Sequence, residues 1–173
     1  MTARGTVALL AILGALLAYL WLFEVGVPRT AAAPTDTEPL LAVPSAAIAR
    51  VEVAEPGGRL TAIRSGAGWT DDRGRPWRDD AVSDLVDTLR SLRPVMVVDP
   101  HPATPADYGF ADDVRRLDVA DGGGRRVLAL EIGERNPAWT ALYVRRAGRP
   151  EVLLVGGVLG WELQKVHDAA PAR

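Results

Sequence analysis

Few residue types able to carry chemistry stand at spacings that would use it. His101 and His167 lie far apart, and neither has acids at metal-ligand spacing, so both read as surface histidines. Asp71, Asp72, Asp79 and Asp80 have the charge for a calcium loop. They lack its D-x-D-x-D-G alternation and terminal glutamate, and arginines intervene, so they read as a solvated turn and a helix cap. Gly156-Gly157-Val158-Leu159-Gly160 opens a helix, where free amides favour anions, yet the spacing is not that of a dinucleotide loop and no P-loop lysine follows. Gly122-Gly123-Gly124, between two alternating segments, reads as a hairpin turn rather than an anion nest. No serine elbow occurs, and the absence of cysteine removes thiolate nucleophiles, thiolate metal sites and disulfides. The expectation is a chain that is not an enzyme, with no catalytic, cofactor-binding or metal residues and no identified small-molecule substrate.

Tryptophan is the type left with something to offer, because a buried indole carries much of an interface's energy. Trp69 and Trp161 read as core. Trp77 and Trp139 stand in polar or proline-bearing loops and are the candidates for docking against another protein or a membrane surface, with Arg75, Arg78 and Arg135 as the rim.

These side chains must be positioned by a mixed set of elements. Ile48 to Val53 alternates apolar and polar residues, and Pro56-Gly57-Gly58 separates it from a second run, Leu60 to Arg64. That is a hairpin, followed by a short strand through Gly68-Trp69-Thr70. Val82, Leu85, Val86, Leu89 and Leu92 hold the three-and-four spacing of a helix with one buried face, capped by Asp79 or Asp80 and ended at Pro94. Val95 to Val98 is another short strand, after which Pro100, Pro102 and Pro105 force an irregular crossing. Val114 to Ala120, Val127 to Ile132, Leu142 to Arg146 and Val152 to Val155 predict an antiparallel meander, and Gly156 to Val166 predicts a terminal helix. Strands and helices in this order define an α+β class. Both halves run strands-then-helix, without a visible residue-level repeat.

Upstream, nineteen uncharged residues from Gly5 to Phe23 would span ~28 Å as a helix, close to a bilayer core. Tyr19, Trp21 and Phe23 crowd one end as interfacial aromatics. The run exceeds the apolar core of a cleavable signal peptide, so Ala31-Ala32-Ala33 reads as linker rather than a cut site. Gly14 and Ala18 belong to a small-residue face on which another helix could pack. The expected organisation is an anchor at 1–26, a Pro/Ala-rich linker at 27–45, an α+β domain with antiparallel sheet and two helices at 46–168, and a tail at 169–173. Arg4 and the amino terminus place the N-terminus in the cytoplasm and the domain outside. Lys165 is the only lysine among many arginines, a bias of GC-rich bacterial genomes, so the expected membrane is a bacterial inner membrane. A net charge of −2 offers no footprint for nucleic acid.

Gly68-Trp69, Tyr108-Gly109-Phe110, Glu131-Ile132-Gly133 and Tyr143-Val144-Arg145-Arg146, in this order and behind a short N-terminal anchor, resemble a bacterial family known as domain of unknown function 4340. The resemblance implies an anchored extracytoplasmic domain, often encoded near ABC-transporter and gliding-type components, and carries no catalytic residues. The functional expectation is a non-catalytic accessory subunit of a larger membrane complex, whether transporter, respiratory or photosynthetic, with integral membrane subunits and the lipid bilayer as partners. The alternative is a periplasmic binding or sensing module for a small ligand or cell-wall polymer.

Overall fold

The structure, a computed structural model, describes residues 12–16, 18–19, 38–78 and 80–171. The chain divides into two units, Met1–Ala33 and Pro34–Arg173. In the first, 12–16, Ala18 and Tyr19 are helical and exposed. Among the described residues no helix is long and apolar enough to cross a membrane, and most of the expected anchor and linker lies outside them.

In the second unit, the alternating segments form strands and the three-and-four segments form helices, as their periodicities dictate. The strands are β1 (Ile48–Glu55), β2 (Gly58–Ser65), β3 (Gly68–Thr70), β4 (Met96–Asp99), β5 (Arg115–Asp121), β6 (Arg126–Arg135), β7 (Ala141–Arg146) and β8 (Val152–Gly156). The helices are α1 (Ala81–Ser91) and α2 (Val158–Ala169). The two halves share one sheet of order β3-β2-β1-β5-β6-β7-β8-β4, antiparallel throughout. β1 pairs with β5 and so joins the first hairpin to the predicted meander. α1 carries the chain from the β3 edge to the opposite edge, where β4 pairs with β8.

Both helices cover one face. Leu85, Val86 and Leu89 of α1 and Leu159, Leu163 and Val166 of α2 share a core with Val51, Leu117, Leu130, Val144 and Val155 of the sheet. Burying each such side chain contributes about 1.5–3 kcal/mol, which makes this layer the main source of stability. Leu40 and Leu41 belong to the same core, at 2% and 1% exposure, and their N–H groups donate to the carbonyls of Leu92 and Leu89. Among the described residues, the packing thus includes Leu40 and Leu41, inside the stretch expected as linker, and α2 likewise runs to Ala169, expected as tail. Asp80 sits at the N-cap of α1 without a side-chain capping bond, and Asp79 lies outside the described residues.

Alternate residues face the other side. There Arg116, Glu131 and Arg145 form a row across β5, β6 and β7, with Glu131 3.7 Å from Arg116 and 2.6 Å from Arg145. The 100–114 crossing folds onto the same side, and Phe110 and Val114 pack with Val152, Val98, Tyr108 and Tyr143 in a second apolar cluster.

Candidate functional site

Three of the four motifs converge at one end of the sheet, around β6 and β7, while Gly68-Trp69 lies on the β3 edge. Tyr108 meets Tyr143 edge to face, with ring centroids 5.2 Å apart, and its hydroxyl donates to Asp99 at 3.2 Å. Burial, then that bond to a carboxylate, raises the Tyr108 pKa. Arg145 lies over the Phe110 ring at 4.8 Å while bonding Glu131. Gly109, at φ 81, and Gly133 let the two backbones touch. A Cβ on Gly109 would stand 2.5 Å from the Glu134 nitrogen, and one on Gly133 would collide with the Tyr108 carbonyl. The glycines of Tyr108-Gly109-Phe110 and Glu131-Ile132-Gly133 are thus required by each other.

That contact sits beside a β-bulge. Ile132 pairs with Val144 and Arg135 with Leu142, so Gly133 and Glu134 together oppose Tyr143 alone. The extra residue reverses the alternation and re-aims Arg135 to the face occupied by Leu142 and α2. Gly160 makes room for it, since a Cβ there would lie 3.1 Å from the guanidinium and 3.2 Å from Leu142. A cleft of about 460 Å³ results, with Val114, Ile132 and Leu142 as apolar floor, Trp161 and Gln164 on the α2 wall, and Asp113, Glu134, Arg115 and Arg135 around them. Arg115 is paired with Glu55 at 2.9 Å. Among the described residues Asp113, Glu134 and Arg135 have no ion-pair partner.

The loop after β6 carries the second feature. Three turns here share one design. In the turns at 71–75 and 121–125, an aspartate accepts backbone N–H bonds on Oδ1, its carbonyl accepts from the glycine three residues on, and that glycine is left-handed, φ 78 at both Gly74 and Gly124. For Asp71, burial opposes ionisation, but the N–H groups and guanidinium of Arg75 and the N–H of Arg73 outweigh it and hold the carboxyl below its ordinary range. Asp121 is lowered first by the N–H of Arg125, against some burial, with help from its guanidinium and the N–H of Gly123. In the third turn Asn136 plays the aspartate's part, accepting from Thr140 and Ala141 on Oδ1, and Trp139 donates to the Asn136 carbonyl. Trp139 holds the position that Gly74 and Gly124 hold elsewhere, at φ 61, the only non-glycine positive φ among the described residues. Its ring is 74% exposed, with the Arg135 guanidinium 6.0 Å from its centre.

The other candidates fall differently. Trp77 is a correction: it is 8% exposed, its ring N–H donates to Thr61, and its backbone N–H donates to Trp69. The 71–75 turn closes a small hairpin that sets it opposite Trp69 and under the sheet. Trp161, expected in the core, is 67% exposed, whereas Trp69 is buried beneath Arg64 as expected. Arg75 pins Asp71, and Arg78 ties the chain to the end of α2 through the carbonyls of Asp168 and Ala169. Gly14 and Ala18 are helical and exposed within the first unit. Gly157 packs against the Thr140 carbonyl and donates to it, tying the glycine run to the Trp139 loop. Among the described residues no group of three or more acids and histidines is placed to hold a metal ion.

Fold and site together define an antiparallel α+β domain with a cleft at one end of its sheet and an indole presented beside it. The family model described as domain of unknown function (DUF4340) matches residues 69–168, and the chain belongs to that family. The matched span runs from β3 to α2, and β1 and β2 precede it. No curated protein and no solved structure matches the chain.

Proposed function

We propose that this chain is a non-catalytic accessory subunit of a larger bacterial membrane-protein complex. The N-terminal apolar run anchors it in the inner membrane, with Gly14 and Ala18 on its helix-packing face, and the α+β domain docks extracytoplasmically on integral membrane subunits. The observation that supports the reading is Trp139. An indole in the left-handed position costs about 1–2 kcal/mol relative to glycine, and at 74% exposure it returns little of that to the fold. A residue so placed serves something outside its own domain, and exposed tryptophan beside arginine is the composition of interface hot spots. Val158 at 45% exposure, in the first turn of α2, joins the same end of the unit through the bond from Gly157 to Thr140.

The test is mild-detergent purification of the tagged chain from its native membrane. A defined membrane complex should be recovered in stoichiometric amounts with the wild type and lost with Trp139→Gly while the domain stays folded. A chain that emerges alone would end the subunit reading. The cleft favours a second reading, a binding module, because its volume and the polar side chains that converge on it, Asp113, Arg115, Glu134, Arg135 and Gln164, fit a small polar ligand.

A further inference from the structure

We propose that the cleft between the β6 bulge and α2 binds a neutral saccharide unit, its pyranose ring lying against Trp161. The proposal rests on the binding-module reading of the cleft and is independent of docking through Trp139. About 460 Å³ is room for one or two sugar rings. A pyranose has an apolar face of axial C–H groups and an equatorial belt of hydroxyls, so it calls for a flat aromatic surface ringed by planar donors and acceptors. Trp161 supplies the surface: it lines the cleft and is 67% exposed, leaving most of its area open to a ligand. Asp113, Glu134, Arg135 and Gln164 supply planar polar groups from three separate segments.

Charge narrows the class. With Arg115 answered by Glu55, the remaining lining is two carboxylates and one guanidinium, which sets up no strong field of either sign. An anionic or cationic ligand would call for an excess of the opposite charge. A peptide added as an extra strand is also excluded at this place, because β6 is an interior strand and its bulge is covered by Tyr108 and Gly109. The effort spent on re-aiming Arg135, with the bulge on one side and Gly160 on the other, would serve nothing in the core, since that guanidinium finds no carboxylate there.

The experiment is saturation-transfer NMR on the full-length chain in a sugar-free detergent, with cellobiose, maltose and N,N′-diacetylchitobiose as probes and glycine betaine and a dipeptide as comparisons. The expected result is transfer to the ring protons of at least one saccharide. Trp161→Ala should weaken that binding about tenfold. Glu134→Gln, at an exposed position, should weaken it as well, and Trp139→Gly should leave it unchanged. Binding of betaine or the dipeptide in place of the saccharides, sensitive to Trp161→Ala, would overturn the saccharide class and keep the binding module. Binding by none of the probes would overturn both, and saccharide binding indifferent to Trp161→Ala would overturn the proposed site against Trp161.

Discussion

Replacing Trp139 separates the energy of its backbone from that of its ring. In Trp139→Ala the ring goes and a β-carbon stays in the left-handed region; in Trp139→Gly both go. The ring contributes little: it is 74% exposed, and its contact with Arg135, at 6.0 Å, lies at the outer limit of a cation–π pair, worth about 0.5 kcal/mol at an exposed site. Both variants lose that. The alanine variant keeps the strain of about 1–2 kcal/mol, while the glycine variant sheds it against roughly 0.5–1 kcal/mol of added unfolded-chain entropy. The glycine variant should therefore be the more stable of the two by about 1 kcal/mol, and close to wild type. In melting temperature the gap is about 3–5 °C for a unit of this size. Urea and thermal unfolding of the full-length chain, followed by circular dichroism, read it. A glycine variant less stable than the alanine variant, or about 2 kcal/mol below wild type, would mean that the ring belongs to the fold and refute the reasoning.

Other perturbations test other parts. Gly133→Ala drives a methyl into the Tyr108 carbonyl, and should cost about 3 kcal/mol or more, read by the same unfolding. Leu85→Ala opens a cavity under a fully buried side chain and should cost about 3 kcal/mol. Trp77→Ala should cost about 3–5 kcal/mol and leave co-purification intact where protein accumulates; if it instead lost the partner without losing stability, the sequence-based expectation would stand after all. Asp71 and Asp121 have folded pKa values below their unfolded ones, so each adds stability that is full above about pH 4 and fades as pH falls through the folded value. Asp71→Asn with Asp121→Asn should flatten the acid limb of the stability profile, measured as urea midpoint against pH.

Strand and helix periodicity made most of the fold legible, because each strand buries one face and the alternation follows directly. The single sheet was not legible: the β1–β5 pairing and the passage of β4 to the far edge are long-range choices with no local signal. Trp161 could have been read correctly, since it stands two residues from both Leu159 and Leu163 and so points away from the buried side of the helix. Trp77 needed the 71–75 turn to be seen as a hairpin, and the same Asp-x-x-Gly-Arg pattern at 121–125 was the available clue. The cleft draws on Pro56, residues 109–115, 132–135, Leu142 and residues 160–164, and a bulge that exists only once β6 is paired, so it could not be read from spacing.

The central claim is that Trp139 meets a membrane-protein partner. A photo-activated cross-linking residue at position 139, introduced in the native host and compared with one at Arg59 on β2, tests it most directly. Irradiated membranes should give one discrete adduct with a membrane protein from position 139 and none from position 59. Lipid adducts alone from position 139, or the same adducts from both positions, would contradict the account.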